Sequence, residues 1–189
     1  MSKDTIRAST IADVINRRRT RAIVGRGYLA LLGRVALLAL VVWLAFTQCF
    51  LICQNSGQDM FPAMKDGDLC VIFRTGLMKL VGESFSSGDI VAYRIEGERH
   101  FGRVVAIPGD TLQIDTRGSV TVNGVTESAE ILYPTYTRGD LLNIQTIQKG
   151  AVYVLGDYRT QTKDSRDYGP IPLTDIEGKV LSIMRRRGL

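Results

Sequence analysis

The feature that most constrains this chain is a long apolar run near its N-terminus, from Tyr28 to Cys53, whose one charged residue is Arg34. The part after Arg34, residues 35–53, would form about 28 Å of helix at ~1.5 Å per residue, close to the ~30 Å hydrocarbon core of a bilayer. A cleaved signal peptide fits less well, because the run is too long for an h-region and no small-x-small cleavage site follows it. The sequence therefore predicts an uncleaved transmembrane anchor over residues 28–53.

Basic residues are concentrated ahead of this anchor. Eight of the chain's 24 basic residues lie up to Arg34, where the acidic residues are Asp4 and Asp13. A basic arm can bind nucleic acid, but an apolar run directly after it favours a role in membrane insertion. The positive-inside rule then places a tail of residues 1–27 in the cytoplasm and a domain of residues 54–189 outside. We therefore predict a single-pass protein of the cell membrane, with the lipid bilayer as a partner and no contact with nucleic acid.

The three cysteines do not predict a metal site or a disulfide framework. Cys49 and Cys53 lie in the apolar run, and Cys70 lies in a predicted strand. The first two are spaced like a metal-binding pair, but no His or third thiol lies near them in the sequence. We interpret them as small apolar residues in lipid, and we expect no metal and no cofactor.

Beyond residue 54 the pattern changes to short alternating segments separated by turn residues, which indicates strands. The dipeptide Asn123-Gly124 supplies the positive φ angles of a tight hairpin turn. Residues 75–87 are predicted to contain a short helix or to lie on the lipid surface, and residues 127–150 to form a surface excursion. The predicted strands cover residues 69–73, 88–95, 101–107, 111–115, 119–122, 151–155 and 178–184. The predicted fold class is mainly β, with one N-terminal transmembrane helix followed by an antiparallel β domain.

Three motifs follow the anchor in order. The first spans Ser56–Asp68 and contains Asp-Met-Phe-Pro and Gly-Asp. The second starts with Gly-Asp-Ile-Val-Ala-Tyr at Gly88 and continues as Arg-Val-Val-Ala-Ile-Pro-Gly-Asp over Arg103–Asp110. The third spans Gly156–Gly169 and reads Gly-Asp-Tyr-Arg-Thr-Gln-Thr-Lys-Asp-Ser-Arg-Asp-Tyr-Gly. Any one of them can arise by chance, but the ordered set behind one anchor is a specific signal.

This set resembles the type I signal peptidases. In that family the boxes read Ser-Met-x-Pro-Thr-Leu-x-x-Gly-Asp, Lys-Arg-Val-Ile-Gly-x-Pro-Gly-Asp and Gly-Asp-Asn-Arg-x-x-Ser-x-Asp-Ser-Arg-x-x-Gly. The resemblance extends from the anchor to about Gly178. It implies a signal-peptidase-like β domain and a site for amide hydrolysis, in which a Ser hydroxyl attacks and a neutral, desolvated Lys takes its proton.

Both reacting positions of the family are changed in this chain. Asp59 stands where the nucleophilic Ser would be, and Gly102 stands where the Lys would be. A carboxylate is a poor nucleophile for an amide, and Gly102 offers no base. The resemblance therefore implies that the Ser/Lys dyad is absent.

Two residues are candidates to replace the dyad. His100, the only histidine, precedes Gly102 by two positions, so in a strand it lies on the same face and can approach Asp59. A water molecule activated by this pair is one alternative, and a half-exposed His near a turn is the other. Ser56 is a second candidate nucleophile, but it would need a base of its own.

The rest of the family's scaffold is retained, and the resemblance assigns it supporting roles. Thr162 stands where the family has a Ser that hydrogen-bonds the Lys. Four charged residues are expected to form an ion-pair cluster beneath the site. The binding or scaffold residues carried over are Met60, Pro62, Arg103, Asp157, Arg159, Thr162, Asp164, Ser165 and Arg166, of which Asp157, Arg159, Asp164 and Arg166 form the expected cluster.

Two functions are consistent with these residues. The first is a pseudoenzyme that binds an extended peptide, a preprotein or a pilin segment as an added strand without cutting it. Signal-peptidase-like proteins of this type accompany the pilus assembly machinery of Gram-positive bacteria. The second is an active signal peptidase that works through non-standard residues. Loss of both reacting positions favours the first, and the sequence makes no prediction for the oligomeric state.

Overall fold

The computed structural model describes residues 27–127, 133–136 and 144–185. The predicted cytoplasmic tail lies almost wholly outside the described residues, as do parts of the predicted excursion. The chain divides into two compact units, residues 1–47 and residues 48–189. The first contains most of helix α1, Gly27–Cys49, whose 23 residues are long and apolar enough to cross a membrane.

The helix ends before the apolar run does. Residues Phe50–Gln54 form strand β1 instead of continuing the helix, so the predicted anchor of residues 28–53 was too long at its C-terminal end. Its residues pair with a second strand, in which Cys70 lies opposite Cys53 and Phe73 opposite Phe50. Cys53 therefore belongs to the β unit, and the interpretation of this residue as a lipid-facing thiol was wrong.

Within the described residues, the second unit consists of two antiparallel sheets and two short helices. The larger sheet has the order β1-β2-β11-β3-β4-β9-β10, and the smaller has the order β7-β6-β5-β8. After β1 the elements are β2 Leu69–Arg74, α2 Thr75–Leu80, β3 Ile90–Ile95, β4 Glu98–Ala106, β5 Thr111–Ile114, β6 Val120–Val122, β7 Val125–Thr126, β8 Gln145–Thr146, β9 Ala151–Leu155, α3 Ser165–Tyr168, β10 Ile171–Pro172 and β11 Ile176–Met184. The predicted fold class, mainly β behind one N-terminal apolar helix, is confirmed.

Local sequence explains most of these elements. Strand β2 alternates as a half-buried strand should, with Cys70 and Ile72 buried and their neighbours more exposed. Asn123 and Gly124 have φ angles of 51° and 80° and join β6 to β7, as predicted for a tight hairpin. The predicted short helix within residues 75–87 is α2, which buries Met78.

The segment of residues 127–150 is only in part a surface excursion. Its β8 pairs with β5 and adds a strand to the smaller sheet. Ile147 is buried in a hydrophobic cluster with residues of strands β5, β6 and β9. Thr135 is also buried. The surface prediction was therefore wrong for β8, Ile147 and Thr135. A two-residue strand and single buried residues carry too little periodicity to be recognised in the sequence.

Strand β1 generates a prediction about where the β unit begins. A fragment starting at Gln48 is expected to fold, whereas one starting at Gln54 loses the contacts of Leu51 and Cys53 with a buried cluster that includes Met60 and Ile72. We expect the shorter fragment to be less stable by about 2 kcal/mol or more, from the apolar area exposed. Thermal denaturation followed by circular dichroism measures the difference, and equal melting temperatures would contradict the role of β1.

Candidate functional site

The loop between β1 and β2, residues 55–68, carries the first motif and is held by a dense set of hydrogen bonds. The Asn55 side-chain amide donates to the carbonyl oxygen of Lys65 at 2.9 Å, and its backbone N–H donates to that of Asp68 at 2.8 Å. The Asp68 carboxylate accepts from the backbone N–H of Lys65 at 2.9 Å. Because Asn55 and Asp68 are both buried, these bonds are shielded from water and fix the loop.

The loop is also anchored in the core by its methionines. Met60 and Met64 are completely buried and pack with Cys70, Ile72 and Phe101. Pro62, the other scaffold residue predicted here, follows Phe61 through a cis peptide bond. Asp59 directly precedes the buried Met60, so the core contact of Met60 limits where the Asp59 side chain can reach.

Asp59 and His100 lie close together, which the strand alternation allowed but did not require. The Asp59 Oδ2 atom lies 3.9 Å from the Nδ1 atom of His100, which is beyond hydrogen-bond length but close enough for an ionic contact or a bridging water. The Asp59 side chain is 36% exposed and that of His100 is 23% exposed. Burial raises the pKa of the Asp59 carboxyl above its usual value, and the nearby His100 opposes that rise.

His100 is held between two tyrosines. Its ring stacks on Tyr93 of β3, with centroids 5.7 Å apart, and is tilted against Tyr168 of α3 at 6.4 Å. The contact with Tyr93 follows from strand pairing, since the two residues face each other across β3 and β4. The imidazole is therefore a positioned side chain at the edge of the site and not a freely rotating surface His.

Gly102 lies on the same face of β4 as His100, and there is no room for a side chain on it. A Cβ atom at this position would lie 2.3 Å from the Cγ1 atom of Val154, 3.3 Å from the Cε1 atom of Tyr93 and 3.4 Å from the Leu155 carbonyl oxygen. The first of these distances is far below van der Waals contact. The buried side chains of Val154 and Tyr93 therefore fill the space into which a residue at position 102 would project.

Tyr93 gives this region a polar atom of its own. Its phenol oxygen is buried and has no hydrogen-bond partner among the described residues. Burial raises the pKa of the phenol, and the carboxylates of Asp164 and Asp59 raise it further, so the group stays protonated. A neutral hydroxyl can donate a hydrogen bond, but it cannot act as a base at ordinary pH.

Thr162 and Tyr158 hold the backbone at Asp59. The backbone N–H of Tyr158 donates to the Asp59 carbonyl oxygen at 3.0 Å. The Thr162 hydroxyl donates to the Tyr158 carbonyl oxygen at 2.7 Å and lies 3.2 Å from that of Asp59. Thr162 thus connects the third motif to the first, which is a supporting role that needs no Lys.

The charged residues of the third motif do not form the single cluster that was expected. Asp164 and Arg166 do pair, through two parallel hydrogen bonds of 2.8 Å, and both side chains are fully buried. Asp157 instead binds the predicted scaffold residue Arg103 at 2.6 Å. Arg159, also fully buried, binds Glu127 at 3.2 Å. The cluster prediction was wrong in this respect. Residue spacing does not reveal that Arg103 of β4 reaches Asp157, or that Glu127 reaches Arg159.

Two serines among the predicted site residues and their alternatives are Ser165 and Ser56. The Ser165 hydroxyl accepts a 2.9 Å hydrogen bond from the backbone N–H of Val154, which places Val154 against Gly102. Ser56 is exposed at the start of the loop, three residues before Asp59. Among the described residues there is no group of three or more His, Cys, Asp or Glu side chains arranged to hold a metal ion.

Two residues of the site were missed by sequence reasoning. Tyr93 and Val154 lie in strands whose apolar pattern predicts only core residues, and both are indeed core residues. Their role at the site comes from contact with Gly102 across β3 and β9. The one signal that could have found Tyr93 is its position in the second motif, at the end of Gly-Asp-Ile-Val-Ala-Tyr.

Comparison with known proteins gives a consistent result. The family described as "Signal peptidase, peptidase S26" matches residues 26–185. The chain is 30% identical over 139 residues to mitochondrial inner membrane protease subunit 1 of Schizosaccharomyces pombe, covering 70% of this chain and 72% of that protein. It is 28% identical over 145 residues to signal peptidase IB of Staphylococcus aureus, covering 66% of this chain and 72% of the relative.

Among solved structures, the chain is similar to a signal peptidase I from Enterococcus faecalis V583, with 26% identity and a TM-score of 0.45. That match covers 53% of this chain and 98% of the other. The family match spans both β sheets and all three motifs, and the match to the yeast protease subunit agrees with it. The chain therefore belongs to the signal peptidase family, peptidase S26.

Proposed function

We propose that this chain is a membrane-anchored member of the signal peptidase family that binds an extended peptide beside Asp59 without cleaving it. The observation that carries the proposal is the closed space at Gly102, where a Cβ atom would lie 2.3 Å from Val154. A Lys base at this position would have to displace two buried side chains. The site is therefore not only short of a base but also packed in a way that excludes one.

The nucleophile position supports the same proposal. Among the described residues, the basic group paired with the Asp59 carboxyl is the His100 imidazole, at 3.9 Å, and not a Lys. Attack by a carboxylate on an amide would give an anhydride, which is less stable than the amide it replaces. Binding without cleavage requires only that Asp59 and His100 line the peptide-binding groove.

The edge of β4 offers a place for a peptide. Residues 98–103 of β4 pair with β3 on one side, but the pairing with β9 on the other side starts only at Arg103. The edge from Glu98 to Phe101 is thus not paired with β9, and Asp59 approaches it at His100. An extended segment can add to such an edge through backbone hydrogen bonds, with side-chain pockets deciding which segment fits.

The proposed clients are exported preproteins or pilin segments, which would reach the domain in extended form at the outer face of the cell membrane. The apolar helix α1 would anchor the domain there. The excess of basic residues before Arg34 would keep the N-terminus in the cytoplasm and leave the β domain outside. A role beside pilus assembly in a Gram-positive cell fits this arrangement.

Cleavage assays test the absence of chemistry. The unaltered protein in detergent micelles is expected to leave a signal-peptide substrate intact, because Asp59 and Gly102 stand at the positions of the family's Ser nucleophile and Lys base. An active signal peptidase on the same substrate is the positive control, and product is measured by mass spectrometry. Turnover that persists through purification and disappears in Asp59→Ala would overturn the proposal.

Restoring the dyad by substitution is expected to fail for a steric reason. Asp59→Ser with Gly102→Lys should stay inactive and lose about 1–3 kcal/mol of stability, because the Lys overpacks the core at Val154. Adding Val154→Ala removes the contacting Cγ1 atom and should recover part of that loss. Thermal denaturation of the double and triple variants, with Val154→Ala alone as control, measures the effect; a double variant as stable as the parent contradicts it.

Peptide binding at the β4 edge is tested with backbone chemistry. A fluorescent peptide of signal-peptide or pilin sequence should lose about tenfold in affinity when alternate amides are N-methylated, since two lost hydrogen bonds are worth roughly 1–3 kcal/mol. Fluorescence anisotropy gives the affinities, and methylation of amides outside the bound segment is the matched control. Equal affinity of both peptides would exclude strand addition.

A second candidate function, hydrolysis by a water molecule activated between Asp59 and His100, is favoured by their 3.9 Å separation. The same cleavage assay separates it from the first. Activity lost equally in His100→Ala and Asp59→Ala, and kept in Ser56→Ala, would support this candidate. Full inactivity of the unaltered protein would exclude it.

The raised pKa of Asp59 predicts a pH dependence of stability. A carboxyl whose pKa is higher in the folded than in the unfolded protein loses stability as pH rises through the folded value. Asp59→Asn should therefore stabilise the protein at pH 7, by less than about 1 kcal/mol because solvent screens a side chain that is one-third exposed. Below the unfolded value of 3.8 the gain should vanish. Urea unfolding at both pH values measures it, with Glu98→Gln as an exposed control; a loss of stability in Asp59→Asn at pH 7 would contradict the assignment.

A further inference from the structure

Two of the three cysteines lie directly opposite each other at the base of the loop that carries Asp59. Cys53 of β1 and Cys70 of β2 are paired residues in the antiparallel register. Directly opposed residues in such a pair have Cα atoms about 4.5–5.5 Å apart and side chains on the same face of the sheet. Disulfides span Cα separations of about 4.4–6.8 Å, so the backbone already satisfies the main geometric requirement.

Both thiols enter the same buried cluster. Cys70 is completely buried with Met60 and Met64, and Cys53 packs against that cluster from the adjacent strand. The negative charge on a Cys53 thiolate would raise the pKa of Cys70. The Cys70 thiol has only a weak contact of 3.9 Å with the Asp68 carbonyl oxygen, so reorientation toward Cys53 breaks little.

The two thiols differ in access and in electrostatics. Cys53 is partly exposed, whereas Cys70 is inaccessible to solvent. Arg99 interacts with the Cys53 thiol and opposes the rise of its pKa that burial causes. Arg99 is itself held by Glu177 of β11. Burial raises the pKa of Cys70 to about 12. The first reaction with an external oxidant therefore falls to Cys53, and Cys70 is placed to complete it.

We propose that Cys53 and Cys70 form a redox site that closes into a disulfide at the base of the β1–β2 loop. The oxidant is an external disulfide, either a small molecule or the active-site disulfide of a thiol oxidoreductase. The Cys53 thiolate attacks it, which forms a mixed disulfide and releases one thiol. The Cys70 thiol then loses its proton as it attacks the sulfur of Cys53, and the second thiol is released. The protein gives up two protons and two electrons, and the oxidant is reduced to two thiols.

This bond would act on the loop and not on the reacting groups. Residues 55–68, including Asp59, lie between the two cysteines, so the disulfide closes a short ring around the first motif. A closed ring restricts opening of the loop, because its ends can no longer separate. The inference is independent of whether the site cleaves or only binds a peptide.

The test uses the full-length protein in detergent micelles, with Cys49→Ser to remove the third thiol. The protein is treated with oxidised glutathione, denatured, alkylated and digested with trypsin. Because Lys65 separates the two cysteines, a Cys53–Cys70 disulfide joins two tryptic peptides, 35–65 and 66–74, which separate on reduction. Amide hydrogen exchange should also slow across residues 55–68 in the oxidised form.

Cys70→Ala in the same background is the matched control, in which Cys53 should stop at the glutathione adduct. Two alkylated thiols after oxidation, or a lasting adduct on Cys53 while Cys70 is present, would overturn the proposal. So would a Cys49–Cys53 link as the main product of the unaltered protein. Unchanged exchange across the loop in the linked protein would remove the clamping role.

Discussion

The packing of Val154 against the backbone of Gly102 leaves no space for a side chain at position 102. This contact lies next to Arg103, where the pairing of β4 with β9 begins. The Val154 backbone is also held by its hydrogen bond to the Ser165 hydroxyl. Because the interior is close-packed, the space that Val154 and Tyr93 occupy is not available to any other side chain. The position of His100 follows from the same packing, since its ring rests on Tyr93.

The predicted scaffold residues around the site make specific contacts. Asp164 and Arg166 pair in the interior, where each would be costly alone, and Asp164 also caps helix α3. Thr162 and Tyr158 fix the carbonyl of Asp59. These contacts lie within the third motif and between the third motif and the first. The backbone at Asp59 is therefore positioned by residues far from it in the chain.

The sequence was sufficient for the parts of the fold that rest on local pattern. Alternation identified β2, and the residues Asn123 and Gly124 identified a tight turn. The two-residue spacing of His100 and Gly102 allowed His100 to approach Asp59 but left a half-exposed His near a turn as the other alternative. The end of the helix was not predictable, because Phe50–Cys53 is as apolar as the helix before it and hydropathy does not distinguish the two. The partners of Asp157 and Arg159 were missed as well, since they depend on contacts between residues far apart in the chain.

Arg159 connects Glu127 and Thr135 to the third motif. Its guanidinium has no exposed surface, and it binds Glu127, the Thr135 hydroxyl and the Gly156 carbonyl oxygen. A charge in such a position needs all of its partners, so Glu127 and Thr135 are tied to Arg159 even though the residues around them follow no pattern. Among homologues, the residues at positions 127, 135 and 159 should therefore vary together.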